Sequence, residues 1–533
     1  MVSRVLVVGF DAGDIDTAMH LAADGRMPNL AQLLGTAAHI DIEPPSDGTY
    51  VTSAWPTLVT GCRSEHHRVV SWVRFDPHSY GTEDVRPDLS DCPPLWSVLG
   101  RSGARVAVFD VPRMEADQSL GQKVIQLCEW GTHDQTGRNH SWPAPLLEEV
   151  VTRFGAQSLG ELPPDVPAQY APCDWVHGGA NGQRTSEELE RLRDALLRAV
   201  EAKADASLHY LADSDWDLFL TVFAEPHCVG HHFWALHDRG HPGHDPALVE
   251  QLGDPIAEVY ASLDSGLGRL LERAGSDCTS FVIFSHGMGP FLSGSHLLDV
   301  ILDRIARRGD HVAPPRPGVT ATKSTWRALP LPIRRRLHPA VARAVRRFIG
   351  RRGEPVLERA GDRPSRPYFA VPYSSLHGGI RLNLVGREAH GLVPPDEHRA
   401  VLAMLIEELL DLVNVTTGTP AVRRVIRSED TAADFARDGF PDLLVEWDRS
   451  GPVHTIYSPT VGLVSAPWQP TRTGDHRTRG LVLAHGPGIS KNVRLTGVPA
   501  EHIAPTIAAR LGCDLAGADG RPLSELLGSA PLR

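Results

Sequence analysis

The sequence is poor in cysteine, in aromatic residues and in long apolar runs, and these shortages exclude whole classes of protein. Seven Cys among 533 residues, at 62, 92, 128, 173, 228, 278 and 513, are odd in number and contain no C-x-x-C. That pattern indicates neither a disulfide framework nor a thiolate zinc module. No stretch of 18 apolar residues occurs, so no membrane span is expected. The opening MVSRVLVVGFDAGD carries only a six-residue apolar run, Val5 to Phe10, closed by Asp11. A signal peptide needs a longer apolar core, and a cytoplasmic location is expected. Positive charge is also in deficit: 53 Lys plus Arg against 65 Asp plus Glu give a formal net charge of −12. Nucleic acid and anionic membrane are therefore not expected as main partners. There is no G-x-G-x-x-G after the first strand and no G-x-x-x-x-G-K-[S/T], which removes the standard dinucleotide and triphosphate cradles.

What is present is enough apolar material (41 %, with 22 % charged) for a sizeable core, arranged in a strand-and-helix rhythm. Val5–Phe10 reads as a parallel strand buried on both faces. Ala104–Phe109, Trp216–Phe223, Thr279–Phe284, Leu443–Trp447 and Gly480–Ala484 read as further strands, while Ile380–Leu384 alternates as an exposed or edge strand does. Helices are expected over Met27–Leu34, Leu95–Leu99, Ser186–Tyr210, Pro246–Ala274 and Ala400–Leu410. In the third of these Leu189, Leu192, Leu196 and Val200 share one face. The fold class is α/β, a large central mostly parallel sheet with helices on both faces. Residues 309–367 are rich in Pro and Arg and contain the basic segment Ile333–Ile349. It reads as a cationic surface helix, as a lid drawing an anionic substrate, or as a membrane or nucleic-acid contact. The expected organisation is a catalytic α/β domain in two parts, 1–308 and 368–533, with 309–367 inserted as a basic cap.

Five places carry side chains suited to chemistry. Asp11 follows the first strand, where open α/β sheets place ligands; it suits a metal ion or a helix cap. Thr52 and Ser53 open a short helix, T-S-A-W-P-T-L-V-T-G, where a hydroxyl meets the positive end of the dipole; an ordinary cap is the alternative. His227 and His231 are four apart on one helical face, a spacing that lets two imidazoles converge on one ion. Six of the 26 His lie between 227 and 244. Ser285-His286 follows a buried strand, and His476 lies in Gly474-Asp-His-Arg-Thr-Arg479 with Asp475 and Arg477 beside it; each reads as a ligand or as an ordinary polar loop residue, and a helix cap with a surface cluster is the alternative for His227 and His231. His66 and His67 are adjacent, so they do not face one ion together, and they read as structural.

The order of these segments resembles the alkaline phosphatase superfamily, in its type I phosphodiesterase/nucleotide pyrophosphatase branch. VLVVGFDAGD, Pro28-Asn-Leu30, TSAWPTLVTGCRSEHH, FVIFSHGMGP, GGIRLNLVGRE, HRTRGLVLAHGPGI and HIAPT follow the family's order from residue 5 to about residue 512. The resemblance implies an alkaline-phosphatase-like fold and a metal-dependent phosphodiester or phosphomonoester hydrolase with a covalent phosphothreonine intermediate. It implies two divalent ions, commonly zinc: one on His227, His231 and His476, the other on Asp11, Ser285, His286 and the nucleophile oxygen. Thr52 takes the nucleophile's place when one deletion is allowed, with Ser53 as fallback. His227 and Ser285 stand where the family has Asp. The first change leaves a credible tri-histidine zinc set; the second weakens the other site, which suits one ion rather than two, or Mn or Mg at the second. Glu225, Asp14 and His296 are the sequence neighbours able to compensate. The implied substrate is a small anionic phosphate or sulfate ester. A non-catalytic binding or regulatory relative and a phosphoryl transferase are the alternatives.

Overall fold

The computed structural model describes residues 4–43, 53–71, 73–85, 88–132, 140–156, 184–310, 325–326, 328–352, 361–374, 376–430, 439–466, 472–491 and 493–527. Thr52 lies outside the described residues, as do parts of the expected 309–367 insertion. The chain divides into two compact units, one of residues 1–72, 86–290 and 470–533, the other of 73–85 and 291–469.

The first unit is built on a nine-stranded sheet. Its strands are β1 (Arg4–Phe10), β2 (Ala38–Glu43), β3 (Val106–Phe109), β4 (Val124–Cys128), β5 (His140–Trp142), β6 (Leu218–Phe223), β7 (Cys278–Phe284), β8 (Gly480–His485) and β9 (Arg494–Pro499). They run in the order β9-β2-β8-β7-β1-β6-β3-β4-β5. The central β7-β1-β6-β3-β4 pairings are parallel, as is β2–β9. Only β8, against both its neighbours, and β5 run antiparallel. The sheet is thus mixed and mostly parallel.

Alternation along β1 separates two cores. Leu6, Val8 and Phe10 join one apolar cluster with Leu196, Phe233 and Leu267, while Val5 and Val7 join another with Leu58, Trp96 and Ile507. These residues lie on helices packed against opposite faces. The first face carries α2 (Ser186–Asp213), α3 (Glu225–His237) and α4 (Pro255–Ala274); the second carries the short helix α1 (Ala54–Thr60) among others. A capping box, Thr185 with Glu188, starts α2. The single helix expected over Pro246–Ala274 is two, Pro246–Leu252 and α4. Gly253 turns the chain at φ +72°, and Asp254 caps α4 by accepting from Ala257 N.

The second unit holds a four-stranded sheet ordered 368–371, 377–382, 443–447, 422–427 and a three-stranded one of 413–414, 455–458 and 462–465. Leu298 and Ile301, from before the expected insertion, share one core with Ile380, Leu405 and Leu443, from after it. This shared core makes the unit larger than 309–367 on both sides. The expected edge strand at 380–384 is instead the interior strand His377–Leu382, with all six residues buried. Its polar member misled the pattern: Arg381 is buried beside Glu388 Oε1 at 2.8 Å and Phe440 O at 2.5 Å. The basic segment is a helix, Leu331–Arg352. Several of its cations serve internal contacts: buried Arg334 pairs with Glu407 at 2.6 Å and Asp411 at 3.2 Å, and Arg346 donates to the carbonyls of Val415 and Thr416.

Candidate metal centre

Parallel strands deliver their following residues to one sheet edge, and four acidic or polar groups arrive there in the first unit. Asp11 follows β1, Asp110 follows β3, Glu225 closely follows β6 and Ser285 follows β7. Helix α3 starts at once from Glu225, and its 3.6-residue period brings His227 and His231 onto one face, with their Nε2 atoms 3.0 Å apart.

His476 arrives from a two-stranded ribbon, Gly474–Arg477 antiparallel to Gly287–Pro290. The sequence suggested a loop here, because Gly-Asp-His-Arg has no strand pattern. Two glycines let the ribbon lie on α3. A Cβ on Gly474 would sit 2.0 Å from Gly230 O, and one on Gly230 would sit 2.9 Å from Met288 Cε. The close approach puts His476 Nε2 2.8 Å from His227 Nε2. His227, His231 and His476 thus offer three nitrogens within 4.8 Å of one another.

Their hydrogen bonds fix which nitrogens carry protons. His227 Nδ1 lies 2.7 Å from Asp11 Oδ2, and His231 Nδ1 lies 2.8 Å from Gly474 O. A carboxylate and a carbonyl only accept, so both Nδ1 atoms donate. In the neutral rings both Nε2 atoms then present lone pairs to each other, with no proton between them. Arg472 Nη1 donates to His231 Nε2 at 3.3 Å, which agrees with a lone pair there. Two opposed lone pairs, with a third imidazole beside them, are a donor set suited to a cation, and three imidazoles fit zinc.

Asp11 is held from two sides, with Trp55 Nε1 donating to Oδ1 at 2.8 Å and His227 to Oδ2. Burial pushes its carboxyl up, but the N–H groups of His227 and Trp55, with His286 nearby, outweigh that and hold it below the usual carboxylate range. Trp55 reaches it because β1 has no side chain at Gly9, where a Cβ would lie 2.3 Å from Trp55 Cη2. Ser285 Oγ lies 3.0 Å from His286 Nδ1, accepts from Ala12 N at 3.3 Å and reaches Phe10 O at 3.5 Å. The His286 ring stands edge-on to His476, with centroids 4.8 Å apart. All of these residues gather at one place.

The remaining candidates serve other contacts. Ser53 is fully buried and its hydroxyl donates to Val69 O at 2.5 Å. Asp14 caps a helix by accepting from Thr17 N at 2.7 Å, and burial pushes its carboxyl up. Burial also raises Glu225, to about 7, against the pull of Lys203, which itself pairs with Asp110 at 2.9 Å. His296 belongs to the second unit. His67 is structural: it meets Thr57 Oγ1 and Val69 N at 3.0 Å each, and burial pushes it down to about 4. Trp55 and Arg472 were missed from sequence. Trp55 stood within a recognised motif, whereas no local signal marks Arg472.

A family model described as "Type I phosphodiesterase / nucleotide pyrophosphatase" matches residues 5–487. Among curated proteins, none matches the chain. Of solved structures, human ectonucleotide pyrophosphatase / phosphodiesterase 5 is similar at a TM-score of 0.50 and 13 % identity, over 99 % of this chain and 100 % of that one. The murine counterpart, an inactive threonine-to-alanine variant in complex with AMP, is similar at 0.51 and 14 %, with the same coverage. At such identity the likeness shows a shared fold.

Proposed function

The chain belongs to the type I phosphodiesterase/nucleotide pyrophosphatase family, and from that premise we propose that it is a metal-dependent hydrolase of small phosphate esters acting through a threonine nucleophile. The observation that carries the metal dependence is the convergence of ring nitrogens of His227, His231 and His476 within 4.8 Å, with His227 oriented by Asp11 and His231 by Gly474 O. His227, His231 and His476 would hold the ion, zinc by its preference for imidazole donors. Bound there, a divalent ion supplies Lewis-acid stabilisation of phosphoryl charge and lowers the pKa of an oxygen nucleophile.

The rest is done by side chains of the chain. Asp11 orients His227 and Gly474 O orients His231, so the donor set is preorganised. Thr52 is the proposed nucleophile. Its Oγ–P bond forms as the ester O–P bond breaks, and water then cleaves the phosphothreonine. The commitment of Ser53 Oγ to Val69 O favours Thr52 over its neighbour, and the murine relative's inactivating threonine-to-alanine change accords with a threonine in this role. Arg472, the guanidinium bonded to His231, suits a phosphoryl oxygen of the substrate.

A second reading, a relative with reduced or no catalysis, is favoured by Ser285. Where the resemblance implies a carboxylate, a hydroxyl engaged with His286 and main-chain atoms stands instead. Metal content per chain, paired with hydrolysis of aryl phosphodiester, phosphomonoester and sulfate esters over Zn, Mn and Mg, separates the two. We expect activity lost on chelation and restored by zinc, with Thr52→Ala retaining metal but not turnover. Bound metal with no turnover on any ester establishes the second reading; absence of metal in protein refolded or purified with zinc sinks the first.

A further inference from the structure

A second group of side chains with metal-binding chemistry stands in the first unit, apart from the tri-imidazole residues. The sulfurs of Cys62 and Cys92 and one ring nitrogen of His66 lie within 4.8 Å of one another. We propose that Cys62, Cys92 and His66 bind a structural zinc ion, with Asp519 at its border. Donors around a tetrahedral zinc stand about 3.5–3.8 Å apart, from Zn–S of about 2.3 Å and Zn–N of about 2.0 Å. The observed spacing therefore needs only a small contraction.

Neighbouring backbone holds these segments in place. The helix Ala54–Thr60 ends at Gly61, in the left-handed region at φ +71°, and Cys62 follows directly. A Cβ on Gly61 would lie 2.8 Å from Pro505 Cδ, so the glycine is what lets the C-terminal segment close over the turn. The amides of Asp519 and Gly520 both donate to Gly61 O, at 3.0 and 2.9 Å. Asp519 Oδ2 accepts from Arg63 N at 2.8 Å and lies 3.2 Å from His66 Nδ1. Cys92 enters from the loop before the helix Leu95–Arg101, its N–H on Leu89 O. The ligands thus come from separate segments, which is why no C-x-x-C spacing signals them.

The chemistry of the donors selects the ion. Two sulfurs and an imidazole are soft to borderline donors, suited to zinc and unsuited to Mg or Ca. Both cysteines are free thiols and only 2 % exposed, while the His66 side chain is 40 % exposed and gives an ion access from solvent. Burial, with the neighbouring Cys62 thiol, raises the Cys92 thiol. On binding, each thiol releases its proton to solvent, and two thiolates neutralise the divalent charge. The ion would tie the turn after the helix Ala54–Thr60 to the loop that carries Cys92.

Cobalt distinguishes this site from the tri-imidazole set, because only thiolate ligands give a near-ultraviolet sulfur-to-cobalt charge-transfer band. Full-length protein, reduced and stripped of metal, is titrated with Co²⁺. We expect the band to saturate at one ion per chain, to disappear with added zinc, to be lost in Cys62→Ser and in Cys92→Ser, and to persist in His227→Ala. His66→Ala should shift the band and weaken binding. A reduced wild-type protein without the band overturns the proposal whatever the variants do. So does a band that survives in both serine variants with unchanged far-ultraviolet circular dichroism.

Discussion

Replacing Asp11 by Asn tests the orienting role of this carboxylate, because shape is kept and one acceptor becomes a donor. In the native site Trp55 Nε1 and His227 Nδ1 both donate to it, at 2.8 and 2.7 Å. Asn has a single acceptor oxygen. If that oxygen faces Trp55, the amide N–H₂ faces His227 Nδ1, which must then accept. The ring proton moves to Nε2, where the lone pair for an ion is required. If the amide turns over, Trp55 N–H meets N–H₂ and a buried donor is left without its acceptor. Either arrangement removes one charge-assisted hydrogen bond, worth roughly 1.5–3 kcal/mol. Loss of a carboxylate behind a metal-bound histidine lowers affinity by about 10–100-fold, which is about 1.4–2.8 kcal/mol, in agreement. The assay is competition for Zn²⁺ between stripped protein and a chromophoric chelator, alongside kcat/KM for an aryl phosphodiester at limiting and saturating zinc. The loss in kcat/KM should shrink as zinc is raised. An Asp11→Asn protein that binds zinc as tightly as the wild type would refute the reasoning. So would loss of one whole metal equivalent with unchanged affinity for the other, which would make Asp11 a direct ligand.

Further expectations concern the ribbon, the depleted position and the second unit. Gly474→Ala puts a Cβ 2.0 Å from Gly230 O; displacing the ribbon should cost about 1–3 kcal/mol and weaken zinc binding, read as Tm with and without zinc, whereas a zinc-induced Tm shift equal to wild type would contradict it. Ser285→Asp restores the carboxylate that the resemblance implies, so metal content should rise by one ion per chain; unchanged content would show that the position does not limit a second ion. In the second unit, burial pushes His338 and His377 down to about 4 from 6.5. Both are buried and neutral when folded, and the unfolded chain takes up their protons first. Stability should therefore be complete above about pH 6.5 and decline as pH falls towards 4, by at most about 3 kcal/mol per group. Urea midpoints across that range should fall less steeply in His377→Gln; an identical slope would remove His377 from the account.

The parts of this molecule legible in its sequence are those set by local periodicity. The unbroken apolar run of β1 marks an interior parallel strand ending at Asp11. The four-residue spacing of His227 and His231 marks one helical face. The positions where tertiary partners overrule local pattern were not legible. Arg381 makes a buried strand look like an edge, because its charge is answered by Glu388, seven residues on past the end of the strand, and by the distant Phe440 O. Gly474-Asp-His-Arg becomes a strand only because Gly287–Pro290 pairs with it. Cysteine spacing failed for the same reason: Cys62 and Cys92 are neighbours in space through the turn at Gly61, and no short motif encodes that.

Strand β8 has a consequence for how the molecule is made. It comes from residues 480–485, yet it is an interior strand, filling the slot between β2 and β7. During synthesis β7 keeps one edge unpaired, and β2 has no neighbouring strand, until residues 480–485 have been made. Exposed edges of this kind recruit other chains, so the nascent protein carries a gap that β8 closes. His476, four residues ahead of β8, arrives with the same segment, so the tri-imidazole cluster is completed long after His227 and His231 have been made.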